Sequence, residues 1–334
     1  MKTVYLKVWD KCNLRCKHCF IRELDNPKLQ DIDSVCRFIK TVEKVDKNIN
    51  VLLFGGEPLI APEDYLHKLI DGLEQLKAKN DYLTVSMTTN LTMELTETRL
   101  AILERLDGYG TSYDHGDTRF TTDALKKKWE SNLRFIKDRY DKDMGIITTF
   151  SNALIQSEPK DILTYFNSLP ISSIMFEKIV ETEGTFTGRY YSPDYDKVDE
   201  WFSKLVELYL TGDYKFKIRN PLSDLLDKNP SSCCYECTDS MITLQLNGDV
   251  CECPSTYDVI GNLNQSYEDI FRSMALNKLR TNRFKRLSIC GSCKYLPMCK
   301  FGSCYKLANR VNESGSTVCP GYPKTIDTIL RLSR

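Results

Sequence analysis

Asp10-Lys11-Cys12-Asn13-Leu14-Arg15-Cys16-Lys17-His18-Cys19-Phe20 follows a short apolar run that ends at Trp9, and it spaces three cysteines as C-x3-C-x2-C. Three thiols in one tight loop point to a metal. An iron–sulfur cube offers four irons to its ligands, and cysteine thiolate is its usual protein ligand. A loop with three cysteines therefore leaves one iron without a protein ligand. The competing readings are a zinc site and three unrelated buried cysteines. Structural zinc prefers four protein ligands, commonly in paired C-x2-C form, and the uneven spacing here fits it poorly.

An iron without a thiolate can chelate a small molecule that carries both an amine and a carboxylate. The motif resembles that of the radical S-adenosylmethionine (SAM) enzymes. The resemblance implies that the open iron holds the methionine end of SAM. An electron from the cluster would then split a carbon–sulfur bond, and the resulting 5'-deoxyadenosyl radical would abstract hydrogen.

The chain has 334 residues, enough for one large α/β domain and a smaller one. Its 46 acidic and 46 basic residues balance, and no Lys/Arg run is interleaved with aromatics, so nucleic acid is not favoured as a partner. No apolar run reaches membrane-spanning length, and Met1 to Leu6 lacks the features of a signal peptide, which together suggest a cytoplasmic protein without a membrane partner. In a reducing compartment, 14 cysteines argue for metal or redox chemistry before disulfides. Three lie at 12–19, Cys36 stands alone, and ten crowd into 233–319.

Between those regions strands and helices alternate. Strands are expected at 3–9, 51–54, 82–88, 109–113, 145–150 and 172–178, with helices at 31–45, 63–78, 97–106, 122–140, 160–168 and 195–210. Six such units imply a parallel sheet with right-handed crossovers. The resemblance makes this a partial (β/α)6, TIM-like barrel over 1–215, followed by a cysteine-rich domain over 216–334. Active sites of such barrels lie at the C-terminal strand ends, where the candidate residues fall.

After the second strand come Gly55, Gly56, Glu57 and Pro58. Glycine permits close backbone approach, and the resembled family places this stretch against the methionyl amine of SAM; a plain strand-to-helix turn is the alternative. After the third strand, Thr89-Asn90-Leu91 resembles a T-N-G pattern with leucine in place of glycine. After the fourth, Ser112 and Asp114 resemble an S-x-D-G pattern with one residue inserted before Gly116. Alternation lets both face one side of the sheet, and hydrogen bonds to SAM are expected of them. Arg134, on the next helix, matches a cation that pairs with the SAM carboxylate in relatives; a solvated helix face is the other reading. His18 is expected to pack beside the adenine. His67 and His115 lie in no metal-binding pattern.

In the C-terminal part, 241–246, Asn247-Gly248 and 249–253 read as a β-hairpin with an Asn-Gly turn, and 267–280 as helix. The cysteine spacing resembles the SPASM extension of radical SAM peptide and protein maturases. It implies two auxiliary clusters, one on Cys234 (or Cys233), Cys237, Cys253 and Cys304, the other on Cys290, Cys293, Cys299 and Cys319. Here four residues separate Cys299 from Cys304, one more than the pattern has. Cys36 and Cys251 are left over, with whichever of Cys233 and Cys234 is unused. A zinc ribbon is the alternative for Cys290 and Cys293.

The implied cofactors are three 4Fe-4S clusters and SAM, with flavodoxin or ferredoxin as electron donor. Fully ligated auxiliary clusters suit electron transfer, which favours net oxidation. The expected reaction is a thioether, carbon–carbon or ether crosslink in a ribosomally made peptide or protein. The motif starts at residue 12, so leader recognition is expected from a separate protein or from the barrel and linker surface; the stretch 181–202 is a candidate contact region, with an ordinary loop and helix as the alternative. The alternatives are formylglycine formation, oxidation of a small alcohol, epimerisation, and a non-catalytic iron–sulfur electron carrier. Formylglycine-forming relatives carry an aspartate directly after the cysteine matching Cys253, where this chain has Pro254. No catalytic acid or base is identified.

Overall fold

The structure, a computed structural model, describes residues 1–21, 28–180, 193–226, 233–282, 290–299, 304, 307 and 318–333, with 233–236 as backbone only. Residues 181–192 and 227–232 lie outside the described residues.

The chain runs β1 (Lys2–Trp9), α1 (Ile32–Val42), β2 (Ile49–Gly55), a 3-10 turn (Pro58–Ile60), α2 (Glu63–Lys77), β3 (Leu83–Thr89), α3 (Glu97–Glu104) and β4 (Gly108–Ser112). It continues with α4 (Asp123–Tyr140), β5 (Met144–Thr149), α5 (Asn152–Ile155), α6 (Pro159–Asn167), β6 (Ile171–Glu177), α7 (Tyr195–Thr211), β7 (Lys217–Ile218) and α8 (Leu222–Leu226). The C-terminal elements are α9 (Cys233–Ser240), β8 (Met241–Leu244), β9 (Asp249–Cys253), β10 (Thr256–Asn262), α10 (Tyr267–Phe271), α11 (Met274–Asn282), α12 (Leu296–Cys299) and α13 (Pro323–Leu332). All six expected strand–helix pairs are present.

The described residues gather into two compact units, each discontinuous in sequence. One comprises Met1–Arg15, Phe20–Gly110 and Cys237–Thr281; the other comprises Cys16–Cys19, Thr111–Glu236 and Asn282–Arg334.

In the first unit β1, β2 and β3 pair in parallel, with Val4 opposite Val51 and Val51 opposite Val85. Val4, Leu6 and Val8 alternate into the core and are fully buried. Helix α1 starts where the Asp31 carboxylate accepts from the Ser34 N–H, and it buries Val35, Phe38, Ile39 and Val42. Those residues form one apolar stripe at helical spacing. The expected hairpin forms, with Gly248 at φ 86° and Thr243 opposite Cys251. It also gains a third strand, β10, antiparallel to β9. Strand β8 pairs in parallel with β1, Thr3 opposite Met241, so the hairpin extends the sheet that β1 belongs to.

The Lys2 ammonium donates to the Asp239 carbonyl and, at 2.9 Å, to the Tyr267 hydroxyl. Burial lowers its pKa to about 8 against the pull of Asp239. The helix expected over 267–280 breaks at Arg272-Ser273, because the Ser273 hydroxyl accepts from the Leu276 N–H and starts α11 anew.

In the second unit β5, β6 and β7 are parallel neighbours. Helix α4 is capped by Thr122, which accepts from the Leu125 N–H, and it ends on Asp141 in the left-handed region, φ 49°. Its apolar face buries Trp129, Leu133 and Ile136. Tyr113 packs among Phe120, Trp129, Tyr165 and Phe166. Helix α13 docks on α7 through Asp199, whose carboxylate accepts from the Lys324 and Thr325 N–H groups at 2.7 and 3.0 Å.

Candidate functional site

In the first unit the chain after β1 turns across the end of β2. The Gly56 N–H donates to the Trp9 carbonyl at 2.8 Å and the Glu57 N–H to the Lys11 carbonyl at 2.9 Å. Gly55 has φ 154°, and a Cβ on it would overlap the Trp9 carbonyl; one on Gly56 would overlap that of Lys11. Here the glycines are required by the segment leading into the cysteine loop. Glu57 is fully buried. One carboxylate oxygen accepts from the Leu59 N–H (3.0 Å) and the Thr89 hydroxyl (2.8 Å), the other from the Asn90 N–H (2.6 Å). It therefore ties the end of β2 to the end of β3, and Pro58 opens the next short turn.

The Asn90 side chain reaches the cysteine loop. Its amide donates to Cys12 Sγ at 3.5 Å and to the Asn13 side-chain oxygen at 2.8 Å. The Leu14 N–H donates to the same sulfur at 3.4 Å. Leu91, where the T-N-G pattern has glycine, keeps a left-handed backbone at φ 56° with its side chain fully buried. Substitution has preserved the conformation that explains the glycine.

In the second unit the 16–19 segment lies along the chain after β4. The Lys17 N–H donates to the Thr118 carbonyl at 3.0 Å, and its ammonium pairs with Asp117 at 2.5 Å. Ser112 and Asp114 flank the inward-packed Tyr113, as alternation requires. The Asp114 carboxylate is already engaged on both oxygens. One accepts from the Thr149 N–H and hydroxyl (2.8 and 2.6 Å); the other meets the Arg119 guanidinium at 2.6 Å and His18 Nε2 at 3.3 Å.

Burial would raise the Asp114 pKa, but Arg119, His18 and the Thr149 bonds outweigh it and hold it at about 2. Against its own burial cost, Arg119 is kept protonated by Asp114 and by the sulfurs of Cys16 and Cys19. Burial lowers the His18 pKa, with Asp114 opposing and Arg119 adding to the shift. His18 Nδ1 is buried and has no hydrogen-bond partner among the described residues. His18 thus packs on Asp114, and Asp114 organises the loop through His18 and Arg119.

Arg134 is exposed on α4 and donates to the Ser168 carbonyl at 3.4 Å, so the solvated-face reading describes it. The cation beside the cysteines is Arg119, which no spacing rule singled out. Another unforeseen residue is Glu177, the exposed last residue of β6, whose carboxyl group feels Asp114.

In the same unit Cys299 and Cys319 approach a common point, since a Cβ on Gly321 would lie 2.9 and 3.3 Å from their sulfurs. Burial pushes the Cys299 thiol up to about 11, with Cys319 and Cys290 adding to the shift; burial also raises Cys319, which feels Cys293. These four are the residues assigned above to one auxiliary cluster. Of the other set, Cys237 and Cys253 belong to the first unit, Cys304 to the second, and the side chains of Cys233 and Cys234 lie outside the described residues. Cys251 is buried and pushed up to about 12 by burial, and Cys36 packs against Gly72.

Among the described residues no three Cys, His, Asp or Glu side chains converge as they would around a bound ion. The surroundings of the N-terminal sulfurs nevertheless suit an anionic iron–sulfur centre. Cys12 receives two N–H donors, and Cys16 and Cys19 have a fixed cation beside them. No helix among the described residues is long and apolar enough to cross a membrane.

Residues 6–161 match the radical SAM superfamily, and 233–294 match SPASM, an iron–sulfur cluster-binding domain. The radical SAM cyclopropyl synthase TigE of Paramaledivibacter caminithermalis is 22% identical over 331 residues, 90% of this chain and 67% of its own. Native anSMEcpe with bound AdoMet and the Cp18Cys peptide superposes with a TM-score of 0.78 at 18% identity, covering 100% of this chain and 97% of the other. Streptococcus suis SuiB bound to the precursor peptide SuiA gives 0.69 at 15% identity, covering 95% and 74%. The fold is the mixed α/β one of these proteins, a parallel-sheet partial barrel with antiparallel strands in the C-terminal domain. The three-cysteine loop after β1, the parallel sheet and the two matched domains place the chain in the radical SAM superfamily, as an enzyme with a C-terminal SPASM domain.

Proposed function

We propose that this enzyme oxidatively matures a ribosomally made peptide or protein, joining side chains by a thioether, carbon–carbon or ether bond. The reading rests chiefly on the pairing of an N-terminal three-cysteine loop with a C-terminal cysteine set in a chain that shares its fold, end to end, with a peptide-bound protein. The SuiB–SuiA complex and the peptide bound to anSMEcpe support a peptide substrate.

When bound, a cluster on Cys12, Cys16 and Cys19 with SAM supplies a radical that takes one hydrogen atom from the substrate, and two C-terminal clusters supply an acceptor for the second electron. The chain's own residues prepare for this. Asn90 and the Leu14 N–H steady Cys12. Glu57 locks the strand ends that carry Gly55, Gly56, Pro58 and Asn90, which would contact SAM, as would Ser112 at the end of β4. Asp114 holds Arg119 and His18 against the remaining two cysteines. Glu177, an exposed carboxyl group at the end of β6, where barrel active sites lie, is the candidate acceptor for the substrate proton. The electron donor would be a flavodoxin or ferredoxin, and leader binding would fall to a separate protein or to the barrel surface.

Formylglycine formation is the alternative, opposed by Pro254. The test is anaerobic reconstitution, reduction and incubation with SAM, alone and with candidate precursor peptides drawn from neighbouring reading frames. Release of 5'-deoxyadenosine and loss of two hydrogens from the peptide, with no fragmentation inside the joined segment, is the expected result. A product that reacts with hydrazide would favour formylglycine, and uncleaved SAM would make the protein an electron carrier.

A further inference from the structure

Cys319-Pro320-Gly321-Tyr322 forms the turn into α13, and a lysine from the barrel closes over it. Lys178 is the first residue after β6. Its ammonium donates to the Pro320 carbonyl and lies 3.5 Å from the centroid of the Tyr322 ring and 5.6 Å from that of Tyr195. Within this turn the Gly321 N–H donates to Cys319 Sγ at 3.4 Å, and the space over the Gly321 Cα is bounded by the sulfurs of Cys299 and Cys319. Asp199, which feels the Lys178 charge, accepts from the Thr325 hydroxyl at 2.8 Å at the start of α13. The ammonium is thus held in the same turn that brings the two sulfurs together.

We propose that Lys178 is a positioning residue that sets the reduction potential of an iron–sulfur centre held by the cysteine set containing Cys299 and Cys319. This rests on the iron–sulfur reading of that set. Reducing such a centre adds one negative charge, and a fixed cation close to its thiolates stabilises the reduced form, raising the potential. Aromatic faces on one side and a backbone carbonyl on the other hold the ammonium in a partly desolvated place, where its field is screened less than at a free surface. The same lysine follows Glu177. One strand end would then present a proton acceptor to the substrate and tune the group that receives its electron.

The test uses the full chain carrying Cys12→Ala, Cys16→Ala and Cys19→Ala, reconstituted anaerobically, so that only C-terminal centres report in a potentiometric EPR titration. Lys178→Gln keeps a hydrogen-bond donor but removes the charge; Lys178→Arg keeps the charge. In Lys178→Gln one centre should shift to a more negative midpoint. At the parent's midpoint its reduced-to-oxidised ratio should fall about tenfold, which is ~59 mV for a one-electron couple. Lys178→Arg should stay close to the parent. An unshifted midpoint in Lys178→Gln at full iron content overturns the inference. So does loss of that centre's signal in a folded Lys178→Gln protein, which would make the residue part of the scaffold only. Absence of any iron–sulfur signal in the parent overturns the underlying reading as well.

Discussion

Leu91 holds a left-handed backbone that costs a non-glycine residue about 1–2 kcal/mol, offset by a side chain that is fully buried. Removing a buried leucine side chain costs ~2–5 kcal/mol. Leu91→Gly should therefore lower stability by roughly 1–3 kcal/mol in urea unfolding, despite relieving the backbone. Asp114 makes a pH prediction. Its carboxyl is held at about 2, below its usual 3.8, so its contribution is complete above pH ~4 and is lost as pH falls through about 2. An acid titration of unfolding should show a loss of about 2 kcal/mol across that window, absent in Asp114→Asn. Glu177 bears on the chemistry. Glu177→Gln should leave 5'-deoxyadenosine release intact while slowing product formation about a hundredfold, the low end of general-base effects. A proportionate fall in both would remove it from the proton-accepting role.

At the level of elements, the turn after β2 and the segment after β1 are built as one piece. Gly56 has the Lys11 carbonyl where a Cβ would be, and its N–H is bonded to Trp9. Gly56→Ala must push the entry to the cysteine loop aside. Iron at the N-terminal site should be lost while far-UV circular dichroism and the C-terminal iron are retained, as measured by iron analysis and EPR. An alanine variant with its full iron complement would show that the glycine serves the turn alone. The hairpin differs in kind. Its Asn-Gly turn is local, and Gly248 has open space around its Cα.

On the scale of the molecule, the C-terminal strands are not an appendage. Strand β8 covers the edge of β1 from Thr3 to Leu6, and Lys2 is satisfied by Asp239 and Tyr267. An unpaired strand edge invites association with other chains. A truncated chain of residues 1–215 should therefore aggregate, eluting in the void volume on size exclusion while the full chain does not. A monodisperse 1–215 fragment would mean that the barrel strands are self-sufficient.

Much was legible in order and spacing. Alternation and helical stripes revealed the six β/α units, because burial of an apolar face imposes a period on neighbouring residues. The Asn-Gly hairpin and the cysteine loop were also legible, since turn chemistry and ligand spacing are local. What joins distant segments left no such trace. The pairing of β8 with β1 depends on edge complementarity some 240 residues apart, which no window of sequence contains. The exposed place of Arg134, and the roles of Arg119 and Lys178 as the cations beside cysteine sulfurs, followed from where helices and strand ends pack. Chemical type and periodicity are properties of the chain. Which charge ends up beside which sulfur was decided by packing, since electrostatic contact depends on distance in space and not along the sequence.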